Sequence, residues 1–288
     1  MLRNTHDLAG ATVQASDGDV GEVQDFYFDD QAWVIRDLVV DTGSWLNSRK
    51  VLVSPMLFSM PDWQLRTLVV ERTREQIRNG PDIDTRRPVS RQQEADYLAY
   101  YKTPAYWGGD GLWGSAMTPD LLPGYDAGYV PHDGPPHMPQ ESYGRNLGLW
   151  SADEDPHLRS SKAVTGYHIE AVDGDIGHVD GFLLDDRTWA IRYLIINTSN
   201  WWLGHQVLIA PTWIDAVNWP SQSVMVGLTR QAIQAAPAYN PLVQPERAEE
   251  LRLYQHYGRQ DTLPRPGAPQ GEPPPQWRAM PGSPEELR

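Results

Sequence analysis

The chain has 288 residues, no cysteine and a formal net charge of −14. The missing cysteines exclude disulfides, thiolate metal sites and cysteine nucleophiles, and the acidic balance argues against binding to nucleic acid. No stretch approaches the ~20 apolar residues of a membrane span, and the N-terminus lacks an apolar signal-peptide core. We therefore expect a cytoplasmic protein without direct membrane insertion.

One run of residues occurs twice. Gly10–Pro55 recurs as Gly166–Pro211, 156 positions later and without a gap. Roughly two in five of these positions are identical, and most others are conservative apolar exchanges. A repeat of this length corresponds to a whole small domain, so the sequence predicts two copies of one fold.

Each copy shows short strands separated by turns. In the first copy, Asp17-Gly18 suits a tight hairpin turn after a strand at Thr12–Ala15. Gly21–Phe28 alternates between apolar and polar residues, whereas the dense apolar run Trp33–Asp41 indicates burial on both faces. A strand at Lys50–Val53 follows, and five to six strands at this spacing predict a small β-barrel.

Two short helices are predicted after each barrel. Their start signals are capping residues or a proline at the first turn, and the predicted spans are Arg74–Asn79 after Thr73, Arg91–Tyr101 after Ser90, Arg230–Ala236 after Thr229, and Pro245–Tyr257. The second helix of each copy carries two tyrosines three positions apart, which places each pair on one helix face. These pairs are Tyr97 with Tyr100, and Tyr254 with Tyr257.

The remaining chain differs in composition. Residues 102–162 are rich in Gly, Pro and aromatics, and form either a disordered linker or one held on a domain surface by its aromatics. The tail is Pro-rich and expected to be disordered. The predicted organisation is mainly β: a first barrel at 1–86, a helix at 87–101, the linker at 102–162, a second barrel at 163–239, a helix at 240–257 and the tail at 258–288.

The shared pattern resembles the PRC-barrel family. It runs through Asp17-Gly18-Asp19, Asp29-Asp30, Trp33 and Arg36 to the Val51–Pro55 segment, and recurs at the matching positions of the second copy. The family is similar to the cytoplasmic domain of the photosynthetic reaction-centre H subunit and to the C-terminal domain of the ribosome maturation factor RimM. The resemblance implies a small β-barrel used for interaction and assembly, without conserved catalytic residues.

Acidic turns recur in both copies, and two interpretations apply. Clustered carboxylates can bind Ca²⁺ or Mg²⁺, which makes Asp17, Asp19, Asp173 and Asp175 weak candidate ligands. However, the Asp17–Asp19 turn lacks the ligand spacing of an EF-hand, and aspartate also favours hairpin turns for its own backbone hydrogen bonds. We therefore predict a turn-forming role and no bound metal or cofactor.

No motif of an enzyme is present. The histidines form no metal-binding pattern, and neither a nucleophile elbow nor a phosphate-binding loop occurs. Arg36 and Arg192 lie in apolar strands, where pairs with Asp29 and Asp185 would be structural. We therefore expect a protein that is not an enzyme.

Aromatic residues are the better functional candidates. Trp45, Trp201 and Trp202 lie in the loop after the long apolar strand, and loop tryptophans are typical of contact surfaces. Together with Tyr97, Tyr100, Tyr254 and Tyr257 they are the candidate interface, either between the barrels or with an unknown protein partner. The expected function is that of an interaction or scaffold protein with two barrels paired in one chain. The alternative is a regulator that handles cations or protons in membrane-associated electron transport, as the resemblance to the reaction-centre H subunit implies.

Overall fold

The computed structural model describes residues 1–43, 49–59, 63–81, 83, 88–107, 110–121, 156–198 and 205–263. These residues form two β-sheets and a few short helices, as expected for a mainly β protein. The chain divides into two compact units. Unit 1 consists of Met1–Thr165 and Gly181–Tyr193, and unit 2 consists of Gly166–Asp180 and Leu194–Arg288.

Fourteen strands are present in the described residues. In chain order they are β1 (Leu2–Asn4), β2 (Thr12–Ala15), β3 (Gly18–Asp29), β4 (Val34–Asp41), β5 (Lys50–Val53), β6 (Thr67–Val69), β7 (Val89–Ser90), β8 (Pro156–Ser160), β9 (His168–Ala171), β10 (Gly174–Asp185), β11 (Ile191–Asn197), β12 (Gln206–Ile209), β13 (Ile214–Asn218) and β14 (Ser223–Val226).

The two sheets have corresponding strand orders. The first runs β5-β4-β3-β2-β6, with β8 also pairing with β3 and β7 pairing with β8. The second runs β12-β11-β10-β9-β14-β13, with β1 also pairing with β10. In each sheet the first hairpin of the repeat pairs with a parallel strand from the end of the repeat, β2 with β6 and β9 with β14. No pairing joins the ends of either path within the described ranges, so a closed barrel stays a prediction.

The core of unit 1 lies on both faces of β4. Every residue from Val34 to Val40 is buried, which confirms the burial predicted from the dense apolar run. Burial on both faces requires apolar side chains on alternate sides of the strand. Leu38 and Val40 are fully buried, as are Val23 and Phe26 of the neighbouring β3.

Gly21 allows β3 and β4 to approach closely. A Cβ atom at this position would lie 1.8 Å from the carbonyl oxygen of Asp41, and at the corresponding Gly177 it would lie 2.1 Å from that of Asn197. Any side chain there would force the two strands apart. The glycine shared by both copies is therefore a packing requirement of the sheet.

Six short α-helices occur in the described residues. They are α1 (Thr5–Leu8), α2 (Arg74–Arg78), α3 (Arg91–Tyr101), α4 (Ser161–Val164), α5 (Arg230–Gln234) and α6 (Arg247–His256). The capping box predicted for Ser90 and Gln93 is present at α3. Helix α6 begins two residues later than predicted, because Glu246 forms its capping box with Glu249.

Two segments outside the runs Gly10–Pro55 and Gly166–Pro211 form strands that were not predicted. Pro156–Ser160, at the end of the predicted linker, is strand β8 and is followed directly by α4. Leu2–Asn4 forms β1 and is followed directly by α1. Both strands are short and gain their hydrogen bonds only through long-range pairing, so neither has a local sequence pattern by which it could be found.

Candidate functional site

The main cluster of buried charge in unit 1 surrounds Arg36. Its guanidinium lies 3.8 Å from the ring centroid of Tyr106 and 4.9 Å from that of Trp113. It donates a hydrogen bond to the carbonyl oxygen of Leu112 at 2.5 Å and forms an ion pair with Asp29 at 3.3 Å. This confirms the predicted pair of Arg36 and Asp29. The aromatic residues of the predicted linker therefore pack on the sheet through this arginine.

Asp29 remains ionised within this cluster. Burial alone would raise the pKa of its carboxyl, but the Arg36 guanidinium and the backbone amide of Ala32 hold that pKa below its usual value. The carboxylate accepts hydrogen bonds from the amides of Gln31 and Ala32 at 2.9 and 3.0 Å. Asp29 thus closes the turn and holds Arg36 at the same time.

A second layer of buried polar groups surrounds Glu94 on α3. Its carboxylate accepts hydrogen bonds from Tyr106 Oη and from Arg91 Nη1. His157 Nε2 lies 2.8 Å from Glu94 Oε2. Burial and the neighbouring Glu94 raise the pKa of the Tyr106 phenol well above its usual value, so Tyr106 is the proton donor. The cluster joins α3, the linker and β8.

Strand β8 is held on the first sheet by two further carboxylates. Arg159 forms an ion pair with Asp30 at 2.8 Å. Asp25 accepts hydrogen bonds from the hydroxyls of Ser160 and Ser161 at 2.5 and 2.9 Å, and from the amide of Lys162 at 3.1 Å. Asp25 therefore fixes the junction of β8 and α4 to β3.

The N-terminal strand makes the corresponding contact on the other sheet. β1 pairs with the end of β10, where Leu2 lies opposite Asp185. β8 pairs with the end of β3 in the same register, where Leu158 lies opposite Asp29. Arg3 forms an ion pair with Asp186 at 3.2 Å. The strand that precedes each repeat in the sequence therefore pairs with the sheet of the other repeat, and all of these contacts lie within unit 1.

The two acidic turns meet at the centre of this exchange. The amide of Ile35 donates to the carbonyl oxygen of Trp189 at 2.8 Å, and the amide of Ile191 donates to that of Trp33 at 2.7 Å. Val34 thereby forms an antiparallel bridge with Ala190, its counterpart in the repeat. Val34 and Ala190 are equivalent residues of the two repeats. Equivalent residues contact each other in this way at the centre of an interface with two-fold symmetry.

The candidate cation ligands have structural partners. Asp17 Oδ1 accepts the amide of Arg74 at 2.7 Å, and Asp173 Oδ1 accepts the amide of Arg230 at the same distance. Each aspartate thus binds the first turn of a helix in its own repeat, a contact that the sequence analysis did not predict. Asp19 lies opposite Gln14 and Asp175 lies opposite Glu170 in their hairpins. Within the described ranges, no group of three metal-binding side chains occurs.

The candidate interface residues separate into three groups. Trp45, Trp201 and Trp202 lie outside the described residues. Tyr254 and Tyr257 are buried in unit 2, with both rings centred 4.9 Å from the ring of Trp213. Tyr97 is buried as well, and only Tyr100 is exposed, with its hydroxyl donating to the carbonyl oxygen of Gln76.

The first repeat matches a known protein family. Residues 3–72 match the model of the PRC-barrel domain. The chain contains a PRC-barrel domain. The match begins in β1 and ends just before α2, so it confirms the resemblance for the first repeat and extends it to the N-terminal strand. No match was found among curated proteins.

The PRC-barrel match covers the first repeat, and the assignment of the second repeat to the same family stays a prediction. A PRC-barrel domain suggests a non-enzymatic role in interaction or scaffolding. In the part of the chain that the structure describes, no helix is long and apolar enough to cross a membrane.

Sequence reasoning missed Glu94, Tyr106, His157 and Arg159 as members of one cluster. The missed residues come from α3, the linker and β8, which are far apart in the chain. One signal for Arg159 was available in the sequence. Arg3 and Arg159 are 156 positions apart, as are Asp30 and Asp186, so the repeat extends N-terminally beyond Gly10 and Gly166.

Proposed function

We propose that the protein is a non-enzymatic interaction or scaffold protein in which two PRC-type barrels pair within one chain as a pseudo-dimer. The reciprocal exchange of β1 and β8 is the observation that carries this proposal. Each preceding strand completes the sheet of the other repeat, and Val34 bridges Ala190 at the centre. Such a reciprocal, self-complementary contact is what a homodimer would use, here supplied by one polypeptide.

The use of the buried charges supports a role without catalysis. Arg36 and Glu94 hold the linker and β8, and Asp25 holds the start of α4. These groups are buried and bonded to the chain itself. A catalytic group has to reach a substrate, so this cluster fits the stabilisation of the fold better than a reaction.

The expected partner surface includes Trp45, Trp201 and Trp202. In both repeats the tryptophans follow in sequence the strand that starts after the Asp-Asp-x-x-Trp turn, which is β4 in the first repeat. A pair of similar loops in one chain is suited to a partner that presents two contact sites, since linked contacts bind more tightly than single ones.

Truncation after Tyr101 tests the pairing of the repeats. The fragment lacks β8, so the edge of β3 at Tyr27–Asp29 loses its partner strand, and β1 loses β10. We expect the fragment to aggregate or to form dimers in gel filtration, because unpaired strand edges associate. A soluble and fully stable monomer would argue against the proposal.

Affinity capture from the native host tests the interaction role. The bait is the full chain, compared with a variant lacking residues 264–288 and with a variant carrying Trp45→Ala, Trp201→Ala and Trp202→Ala. We expect one protein to be captured reproducibly by the intact chain and lost with the tryptophan variant, whose fold is checked by circular dichroism. Capture by the tryptophan variant at an unchanged level would contradict the assignment of the surface.

The second candidate function is a cation- or proton-handling regulator of membrane-associated electron transport. One observation favours it: burial raises the pKa of Asp30 to about 6, against the opposing effect of Arg159. A carboxyl with this pKa exchanges protons near neutral pH. Proton uptake by the intact chain between pH 5 and pH 7, coupled to binding of a partner, would support this alternative over a purely structural cluster.

A further inference from the structure

A cleft of about 390 Å³ opens in unit 1 beside the half-buried ring of Trp63. Its lining includes residues of β1, α1, β6 and the turn that precedes β6, among them Arg3, His6, Ala11, Trp63, Arg66 and Leu68. The volume is that of sites that bind small organic molecules. None of these residues belongs to the cluster around Arg36.

The cleft has an apolar floor and one aromatic wall. Leu8, Ala11 and Leu68 are buried to at least 94 % beneath it. The ring of Trp63 also contacts Trp189, with the two ring centroids 6.1 Å apart and the ring planes tilted by 50°. An apolar group in the cleft can therefore contact the Trp63 indole above an apolar surface.

Positive charge dominates the rim. The guanidinium of Arg3 lies over the Trp63 ring, 5.1 Å from its centroid, and Arg66 is anchored by a hydrogen bond from its Nη2 to the carbonyl oxygen of Ala9 at 2.6 Å. Asp7 is the one acidic residue among those that line the cleft. Asp186, which binds Arg3, also binds the N-terminal amine of Met1 at 2.5 Å. The rim therefore keeps an excess of positive charge on a chain that is acidic as a whole.

The second repeat fills the corresponding position. Ala11 is replaced by Tyr167, whose ring contacts Trp219, the counterpart of Trp63, at a centroid distance of 6.2 Å. Both residues occupy equivalent backbone positions, because the carbonyl of Ala11 accepts the amide of Val23 and the carbonyl of Tyr167 accepts the amide of Val179. The first repeat thus leaves open a volume that the second repeat fills with a tyrosine ring.

The two repeats also differ in charge at the rim of this position. Arg66 corresponds to Gln222, and both residues have a positive φ, of 52° and 55° respectively. The same strained turn therefore presents a cation in the repeat with the cleft and a neutral amide in the repeat without it. The first repeat therefore differs from the second at this cleft both in open volume and in positive charge.

We propose that this cleft binds a small aromatic carboxylate. The ring would lie in the cleft above Ala11 and Leu68 and contact the part of the Trp63 indole that Arg3 leaves uncovered, and the carboxylate would face Arg66 and Arg3, since guanidinium groups bind carboxylates through charge-assisted hydrogen bonds. The site is present in the first repeat only, so one ligand binds per chain. This inference goes beyond the proposed scaffold function and does not depend on it.

Calorimetric titration of the full chain with benzoate tests the proposal, with benzyl alcohol as the uncharged probe. We expect saturable binding of one benzoate per chain, and at least tenfold weaker binding of benzyl alcohol. No saturable binding of benzoate up to 10 mM, or equal binding of both probes, would overturn the proposal.

Variants that copy the second repeat locate the site. Ala11→Tyr should abolish benzoate binding by filling the cleft, and Arg66→Gln should weaken it at least tenfold. The matched control Gln222→Arg adds the same charge to the second repeat, where Tyr167 fills the volume, and should leave the stoichiometry at one. Arg66 is exposed, so Arg66→Gln decides the question even where Ala11→Tyr fails to fold. Unchanged affinity in Arg66→Gln would overturn the proposal.

Discussion

Trp33 and Trp189 have a backbone conformation that bulky residues seldom adopt. Their φ angles are 55° and 59°, in the left-handed region. In each turn the aspartate four residues earlier, Asp29 or Asp185, offsets this strain. Its side chain accepts hydrogen bonds from two backbone amides, and its carbonyl accepts one from the tryptophan amide at 2.8 Å. The strained tryptophan presents its carbonyl to the amide of Ile191 or Ile35 in the other repeat. The strain therefore lies where the two repeats meet, and the surrounding hydrogen bonds hold it in place.

The buried carboxyl of Asp30 gives a pH dependence with a defined sign. Its pKa is about 6 in the folded chain, above the ordinary value of 3.8, so folding takes up a proton between these pH values. The stability contributed by this proton is fully present below pH 4 and is lost as the pH rises through 6. From pH 4 to pH 7, the free energy of unfolding of the wild type should therefore fall by about 2 kcal/mol relative to Asp30→Asn. Urea unfolding at several pH values measures this difference.

Arg159→Gln is the matched variant for this experiment. Arg159 lowers the pKa of Asp30 through its charge and its hydrogen bond. In Arg159→Gln the pKa of Asp30 should therefore rise further, and the loss of stability with rising pH should end at a higher pH than in the wild type. Parallel pH profiles of the wild type and Asp30→Asn would contradict a role of this carboxyl in the pH dependence.

Asp17 and Asp173 allow the cation hypothesis to be tested against the structural one. The amide of Arg74 lowers the pKa of Asp17, so the stabilisation by this carboxylate is present at neutral pH and is lost as the pH falls through its lowered pKa. We expect no heat on titration with Ca²⁺ or Mg²⁺, and a lower melting temperature for Asp17→Ala with Asp173→Ala. Saturable heat with Ca²⁺ that disappears in this double variant would support the cation site.

At the scale of elements, the contact of Val34 with Ala190 can be trapped covalently. The flanking hydrogen bonds from Ile35 and Ile191 make this a non-hydrogen-bonded antiparallel pair, whose Cα atoms lie about 4.5 Å apart, within reach of a disulfide. Because the chain has no cysteine, Val34→Cys with Ala190→Cys should form one intramolecular disulfide on oxidation. The large closed loop should stabilise the fold by about 4 kcal/mol.

Gel mobility and denaturant unfolding measure this outcome. Oxidised monomer should migrate faster than reduced monomer under non-reducing conditions, and the free energy of unfolding should rise only in the oxidised form. The control is Val34→Cys alone, which can form only intermolecular disulfides. A double variant that gives only linked dimers would show that Val34 and Ala190 of one chain do not meet.

The sequence was sufficient to predict the elements that depend on local signals. Helix α3 has the predicted bounds because its capping box lies within four residues, and β4 was recognised because its apolar run is continuous. β1 and β8 were missed because three to five residues carry no periodicity of their own, and their pairing partners are more than 60 positions away. The candidate site was missed for the same reason: Glu94, Tyr106 and His157 meet only after the exchange has brought β8 to β3.

At the scale of the whole molecule, the strand exchange makes the two halves of the chain dependent on each other. β1 from the N-terminal half pairs with β10, and β8 from the C-terminal half pairs with β3. Two ion pairs and the bridge of Val34 with Ala190 add to these contacts, as does the hydrogen bond from Trp113 Nε1 to the carbonyl oxygen of Thr188 at 2.9 Å. Cleavage of the chain between the halves should therefore leave them associated.

A protease site inserted between residues 122 and 155 tests this dependence. After cleavage, we expect both fragments to elute together in gel filtration at micromolar concentration, and to separate only in denaturant, because each fragment supplies a strand to the sheet of the other. Ala190→Arg in the cleaved chain is the control, since a charge at the central bridge should weaken the association. Fragments that separate without denaturant, each keeping its circular dichroism spectrum, would mean that the repeats are independent domains and that the exchanged strands do not hold the chain together.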